Sequence, residues 1–235
     1  MYPVHWLLTP LIRFLWMPAD SVLKAPEVAL GLPITKAIDV WGVGCILAFL
    51  FLAENLFPVN CDNQMMRCMV EVLGQPEDNQ LRAGRYTHLF FTEEEAAGGP
   101  KWRLLTHEEY TAVSGIEAQD RYSCIDLLSS LDALVNFYPD EGPAESEDRR
   151  AFLDLMKGLL HLNRSQRVTP YQALQHQFIT MTHLTQHPDY LRDSQVMMSI
   201  CQDPGSYGAD MPIESRGTAP NLGSFYGGDD TSSSH

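Results

Sequence analysis

Basic residues are scarce in this 235-residue sequence. Lysine and arginine together number 16, against 30 aspartates and glutamates, and the formal net charge is −14. Proteins that bind nucleic acid directly place clustered lysines and arginines against the phosphates, so this balance argues against a nucleic-acid partner. An acidic chain is better suited to basic partners or to basic substrate segments.

Paired cysteines and long uncharged apolar runs are also missing. The five cysteines are odd in number and form no Cys-x-x-Cys pair, which favours reduced thiols in an intracellular protein, nuclear or cytoplasmic. The longest apolar stretch, residues 40–53, is too short to span a bilayer and indicates a buried helix. Residues 1–17 are strongly apolar, but they lack a basic start and are interrupted by Pro10 and Arg13, so we do not interpret them as a signal peptide. We expect no membrane partner.

Helical patterns dominate what is present. Residues 35–52 are apolar nearly all round, which predicts a helix in the middle of a core. The only acidic residue in this helix, Asp39, should then be buried and in contact with a specific partner. Gly42 and Gly44 suggest that another backbone packs close to the helix. Two amphipathic helices are also predicted, over residues 61–73 and over 147–160 with Ser146 as N-cap. A short helix is predicted over 170–174, with Thr169 as N-cap and Pro170 at its first position.

The rest of the sequence shows little regular pattern. Residues 74–145 are expected to be irregular, with short helical pieces near 124–135 and a solvated acidic run at 93–95. From residue 202 onward the chain is rich in Gly, Ser and Asp, and such a composition buries too little apolar surface to offset the entropy of ordering. Because few segments alternate with period two, the predicted fold class is mainly α.

Three parts of the sequence contain recognisable motifs. Ala25-Pro26-Glu27 resembles the end of a protein kinase activation segment. The segment Asp39-Val40-Trp41-Gly42-Val43-Gly44-Cys45 is similar to the kinase pattern Asp-x-Trp-Ser-x-Gly-Cys. Residues 162–170, which include Arg167, and residues 173–176 resemble the end of a kinase domain.

Further segments resemble one kinase subfamily, the homeodomain-interacting protein kinases. They are Leu30-Gly31-Leu32-Pro33, Lys101-Trp102-Arg103-Leu104 and Asp148-Arg149-Arg150. The resemblance runs from about Lys24 to Cys201 and so covers most of the chain.

This resemblance implies a fold and a division of the chain. The fold would be the mainly α large, carboxy-terminal lobe of a protein kinase, truncated and without the β-rich ATP lobe. Residues 24–185 would form the lobe, with an insert at 74–145, an extension at 186–201 and a disordered tail at 202–235. Residues 1–23 do not resemble kinase sequence, and we predict that the apolar residues 1–17 cover surface that the lobe would otherwise expose.

The resemblance also implies roles for the motif residues. Glu27 would form a desolvated ion pair with Arg167 and tie the segment after the activation loop to the last helices. Asp39 would accept hydrogen bonds from the backbone of a catalytic loop. Lys24 stands where relatives carry an arginine that contacts a phosphorylated tyrosine. The other structural motif residues are Ala25, Pro26, Trp41 and Gly44.

The motifs for phosphoryl transfer do not occur in these 235 residues. That chemistry uses a Gly-rich loop, a strand lysine with a partner glutamate, a His-Arg-Asp loop and an Asp-Phe-Gly metal ligand. None of the four lysines lies in a Val-Ala-Ile-Lys strand pattern. We therefore expect no cofactor for this chain, although the full-length family uses Mg-ATP, and we assign no catalytic, cofactor-binding or metal-binding residue.

Three functional hypotheses remain open. The chain is a protein-binding module, inactive by itself, that contacts kinase substrates or regulators; it is an incomplete piece of an active ATP-dependent serine/threonine protein kinase; or it does not fold stably alone. A metal site at His183, His187 and Asp189 is set aside, because two histidines without a third well-placed ligand are usually surface residues.

Overall fold

The computed structural model describes residues 24–57, 61–95, 97–117, 128–139 and 142–202. Expectations for residues 1–23, for the neighbourhood of Cys124 and for residues 203–235 lie outside this part of the chain. The chain divides into two units, residues 1–192 and residues 193–235. The architecture below belongs to the first unit, except that its last helix continues into the second.

Helices make up most of the described chain, so the predicted mainly α class is confirmed. They are α1 (Pro26–Leu30), α2 (Ala37–Leu52), α3 (Asp62–Leu73), α4 (Asp78–Ala83), α5 (His107–Ser114), α6 (Pro143–Leu159), α7 (Pro170–Leu174), α8 (Gln177–Thr180) and α9 (Pro188–Gln202). Short 3₁₀ helices lie at Thr87–Leu89, Leu131–Asn136 and Thr182–Leu184. Within the described ranges, no helix combines the length and the apolar character that crossing a bilayer requires.

Helix α2 lies in the main core, as its apolar sequence predicts. Trp41, Cys45 and Ala48 are buried along it, and α6 packs against it. A Cβ atom added at Gly44 would lie 2.7 Å from Cδ2 of Leu160. The expectation that another backbone approaches this helix is therefore wrong at Gly44, where leucine side chains from α6 and the residue after it fill the space.

Helix α6 begins four residues earlier than predicted. Its N-cap is Gly142 rather than Ser146, and Pro143 occupies the first helical position. Proline suits that position because the first N–H groups of a helix have no partner within the helix. The predicted apolar face is confirmed, since Phe152, Leu153, Leu155, Met156, Leu159 and Leu160 are all buried.

Residues 74–145 contain more regular structure than the sequence analysis expected. Strands β1 (Phe91–Glu94) and β2 (Lys101–Leu104) pair antiparallel, with Phe91 opposite Leu104. Helix α5 follows with a capping box, in which Thr106 accepts a hydrogen bond from the backbone of Glu109 and the Glu109 side chain accepts one in return. Strands of four residues each show too few alternations to stand out in a sequence.

A buried arginine fastens the end of this region to α6. Arg149 donates to the backbone carbonyls of Tyr138, at 2.8 Å, and Pro139, at 3.0 Å. Its Nε lies 3.0 Å from the carboxylate of Glu145 on the same helix. These bonds satisfy the buried guanidinium and hold the chain after the second 3₁₀ helix against α6.

Candidate functional site

The side chains of Glu27 and Arg167 meet in a buried ion pair. Nη1 of Arg167 lies 2.8 Å from Oε1 of Glu27, and Nη2 lies 2.9 Å from Oε2, so the contact is bidentate. The two side chains are 1% and 0% exposed, respectively. A planar guanidinium that donates two parallel hydrogen bonds fixes the orientation of the carboxylate as well as its distance.

The remaining donors of Arg167 reach two further parts of the chain. Nη1 also donates to the carbonyl of Ala37 at 2.7 Å, and Nε donates to the carbonyl of His161 at 3.0 Å. The guanidinium carbon lies 5.2 Å from the ring centroid of Trp41, within range of a cation–π contact. One side chain thus connects α1, the first turn of α2 and the segment that follows α6.

The motif residues around Glu27 set its direction. Ala25 is the N-cap of α1, and Pro26 occupies its first position. The helix ends at Gly31, whose φ of 69° lies in the left-handed region that glycine adopts without strain. A Cβ atom at Gly31 would lie 2.6 Å from the ring of Tyr86. The short helix therefore has a defined start and a defined end, with Glu27 turned into the core.

The interior beside this pair is apolar. The ring of Trp41 stacks on Phe57 at a centroid distance of 5.5 Å. Burial raises the pKa of the Cys45 thiol to about 12, although the nearby charge of Arg167 acts in the opposite direction. The thiol is uncharged at neutral pH and is unsuited to act as a nucleophile.

Lys24 has a partner that the sequence analysis did not name. Its Nζ lies 2.9 and 2.8 Å from the two carboxylate oxygens of Asp62, the first residue of α3. The lysine and aspartate side chains are 25% and 50% exposed. The amine links the start of the described chain to α3, and its role toward a phosphorylated tyrosine stays a prediction.

Asp39 differs from its expected environment. The sequence analysis expected a buried carboxylate with a specific partner, but the residue is exposed. Among the described residues, no side-chain hydrogen bond or ion pair involves it. Asp39 lies in the first turn of α2, on a side of the helix that other described elements do not cover, so that expectation is wrong.

His183 and His187 contact two different carboxylates. Nε2 of His183 lies 2.7 Å from Asp148, and Nε2 of His187 lies 3.0 Å from Glu147. Asp189 contacts Arg192 at 3.4 Å. The described part of the chain contains no group of three or more His, Cys, Asp or Glu side chains that could hold a metal. The histidines instead fasten the end of the first unit to α6.

The core pair and its connections point to one class of protein. Residues 19–179 match the protein kinase domain model, and the chain belongs to the protein kinase domain family. Within this family it is similar to the homeodomain-interacting protein kinases.

Three relatives show the extent of this similarity. Homeodomain-interacting protein kinase 1 of Rattus norvegicus is 36% identical over 185 residues, which cover 76% of this chain and 15% of that protein. Homeodomain-interacting protein kinase 2 of Mus musculus is 34% identical over 185 residues, with coverages of 76% and 16%. Homeodomain-interacting protein kinase 1 of Caenorhabditis elegans is 33% identical over 196 residues, with coverages of 77% and 23%. The chain thus spans only about a sixth of the length of the two mammalian relatives.

The described residues do not fit Mg-ATP, the cofactor that the kinase family implies. A phosphate-binding lysine and acidic metal ligands must converge on one cleft. Lys24 is bound to Asp62, and Lys157 lies 2.5 Å from the carboxylate of Asp132. The described cleft of about 400 Å³ between α3, the second 3₁₀ helix and α6 is lined by Lys157, Glu77 and Asp132. Asp132 is paired with Lys157, and Glu77 accepts hydrogen bonds from Asn163 and Gln166, so both carboxylates are already engaged within the chain. We derive no reaction step through this cofactor.

Proposed function

We propose that residues 24–185 act as a protein-binding module of the kinase large-lobe type, and that these 235 residues do not transfer phosphate by themselves. The proposal is carried by the motif content of the sequence: the structural motifs from Ala25 to Arg167 are present, whereas His-Arg-Asp, Asp-Phe-Gly and the strand lysine are not. The partners would be kinase substrates or regulators, in the nucleus or the cytoplasm.

The charge of the chain supports basic segments as the preferred targets. With a formal net charge of −14, the chain attracts positively charged peptides and repels acidic ones. The residues after α1 and the adjacent Tyr86 offer exposed apolar side chains, and the charged side chain beside them, Arg85, is positive. Ile34 is 62% exposed and Tyr86 is 41% exposed, and the guanidinium of Arg85 lies over the Tyr86 ring.

A second function is supported by the limited coverage of the relatives. Because the chain matches about 15% of Rattus norvegicus homeodomain-interacting protein kinase 1, it is also suited to be one piece of a larger, active serine/threonine kinase. In that case ATP would be held by parts of the protein that these residues do not supply.

Thermal melting of the 235-residue chain with and without Mg-ATP tests the first proposal. A ligand that binds only the folded chain raises the melting midpoint. We expect a cooperative transition at the same midpoint in both samples. An upward shift that grows with nucleotide concentration would contradict the proposal and require a nucleotide site. A transition that is not cooperative would favour a fragment that needs its remaining parts to fold.

Peptide binding tests the interaction role separately. Fluorescence anisotropy should detect binding of a lysine- and arginine-rich peptide, and added salt should weaken it because the Debye length shortens. A peptide of equal length rich in glutamate is the control and should not bind. If Ile34→Ser, which adds no charge, leaves the affinity unchanged while added salt abolishes it, charge alone carries the interaction and the region after α1 does not contribute.

A further inference from the structure

One face of α2 is not fully covered by the described chain. Asp39, Val43, Ile46 and Leu50 follow one another at intervals of four, three and four residues and so lie along one side of the helix. Asp39 is exposed, Val43 is 47% exposed, and Ile46 and Leu50 are only partly buried. We call these four residues the open stripe. Of the other twelve residues of α2, eight are buried, and Ile38, Leu47 and Phe51 are partly buried against the core. A stripe with exposed positions on such an apolar helix suggests a covering element.

We propose that residues 4–17 of the same chain dock on the open stripe, antiparallel to α2, with Arg13 paired to Asp39. This inference is independent of whether the chain binds nucleotide. It extends the sequence-based expectation that residues 1–17 cover apolar surface, because it assigns the surface, the direction and one contact.

The composition of the two surfaces is complementary. Among Asp, Glu, Lys and Arg, residues 1–17 contain only Arg13, and α2 contains only Asp39. The neighbours of Arg13 are large and apolar, namely Leu11, Ile12, Phe14, Leu15, Trp16 and Met17. The free energy of such a segment is lowest when its apolar side chains are buried and its single cation lies against an anion.

The connection to the core determines the direction. Nη1 of Arg167 donates to both Glu27 and the carbonyl of Ala37, so the start of α1 lies beside the first turn of α2. Residues 18–23 can extend over no more than about 20 Å. A segment that reaches the open stripe from this side places its last residues near Asp39 and its first residues near Leu50. Its direction is then antiparallel to α2.

The lengths of the two elements agree. From Asp39 to Leu50 the helix rises by about 17 Å, at 1.5 Å per residue. Residues 4–17 would span about 21 Å as a continuous helix, and somewhat more where Thr9-Pro10 interrupts it. The segment is therefore long enough to cover the whole stripe while Arg13 remains near the end that carries Asp39.

A second copy of the chain fits the open stripe less well. In a two-fold pair whose axis runs along α2, Asp39 would face Asp39 of the other copy, and the like charges would repel. If the axis is perpendicular to α2 instead, the two stripes would run antiparallel. Asp39 of one copy would then lie against the apolar end of the other, around Leu50. A carboxylate buried against leucine without a donor is strongly unfavourable, whereas Arg13 supplies a donor.

A charge exchange in the full chain tests the proposal. Asp39→Lys and Arg13→Glu should each lower the melting midpoint and increase the fluorescence of a dye that binds exposed apolar surface at least twofold. The double variant has opposite charges again, so its melting midpoint and dye fluorescence should lie close to those of the parent. Glu71→Lys is the matched control, since Glu71 is an exposed carboxylate on α3 with no described partner. It should resemble the parent, and combining it with Arg13→Glu should restore nothing.

Additive effects in the double variant would overturn the pairing of Arg13 with Asp39. Sedimentation of the parent chain distinguishes the other occupant: a melting midpoint and a mass that rise with protein concentration would show a second copy on the stripe. Amide hydrogen exchange of the parent needs no variant. We expect residues 11–17 to exchange at least tenfold more slowly than an unstructured peptide, and exchange at the unstructured rate would overturn the docking itself.

Discussion

Replacing Arg167 by methionine should destabilise the fold more than the loss of an exposed ion pair does. The substitution keeps an unbranched apolar chain but removes the guanidinium, which leaves the carboxylate of Glu27 buried at 1% exposure without its charged partner. It also leaves the carbonyls of Ala37 and His161 without the donors that lie 2.7 and 3.0 Å away. Removing one member of a buried pair typically costs about 3–5 kcal/mol.

This cost corresponds to a measurable shift in melting. For a domain of this size, 1 kcal/mol lowers the midpoint by about 2–4 °C, so the variant should melt roughly 6–20 °C below the parent. Urea unfolding followed by circular dichroism should give the same loss, with an unchanged dependence on denaturant concentration. If the variant is unfolded at room temperature, Arg167→Lys can be measured instead. Lysine keeps the charge but lacks the planar guanidinium with its two parallel donors, so its melting midpoint should lie between those of the parent and Arg167→Met.

An exposed bidentate pair provides the control. Arg103 donates to both carboxylate oxygens of Glu109, at 2.7 and 2.8 Å, but the side chains are 37% and 39% exposed. Arg103→Met should therefore lower the melting midpoint far less than Arg167→Met does, because solvent screens an exposed pair. Equal losses for the two methionine variants would refute the reasoning that burial determines the cost. The double variant Glu27→Leu with Arg167→Met should lose less than Arg167→Met alone, because no isolated charge remains.

Four further predictions follow from single positions. Gly44→Ala should lower the free energy of unfolding, measured in urea, by about 1–3 kcal/mol, because the new Cβ would lie 2.7 Å from a leucine side chain. Ala53→Gly should raise it by about 1 kcal/mol, because residue 53 has a φ of 58°, which glycine adopts without strain. Tyr190→Phe should cost about 1 kcal/mol by calorimetry, because the hydroxyl donates to Glu145 at 2.7 Å. The Cys45 thiol should resist alkylation until the chain unfolds. Its pKa is raised by burial from 9.0 to about 12, so the unfolded chain loses this proton first and the free energy of unfolding should fall between about pH 9 and pH 12, a fall that Cys45→Ala should reduce.

The sequence predicted the long helices well because each contains a periodic apolar pattern of several turns. The pattern over 61–73 corresponds to α3, and the Thr169-Pro170 start corresponds to the observed beginning of α7. The hairpin at Phe91–Glu94 and Lys101–Leu104 was missed, although Lys101-Trp102-Arg103-Leu104 alternates in polarity, because four residues do not separate a strand from a loop. The N-cap of α6 was misplaced because Ser146 is a good capping residue by type, whereas the observed cap at Gly142 depends on the direction of the preceding chain.

In the candidate site, too, some contacts were predicted from the sequence and others were found only in the structure. The resemblance to protein kinases implied that Glu27 and Arg167 act together, although 140 residues separate them. It could not indicate that the same guanidinium also binds the carbonyl of Ala37, or that Lys24 binds Asp62, because backbone acceptors and surface partners leave no mark in a sequence. Asp39 was misjudged for a related reason: a helix apolar on every side predicts burial for each of its residues, but it does not show which elements cover which face.

The sequence by itself determined the local properties of this protein, namely its acidic charge, its mainly helical class, its motif content and its kinship with protein kinases. Those properties depend on residue type and short-range order, which are present before folding. The tertiary structure alone decided which acceptors surround Arg167, why residue 44 is glycine, and that one side of α2 is only partly covered. These depend on segments distant in sequence that meet only when the chain packs, where burial decides the strength of each contact.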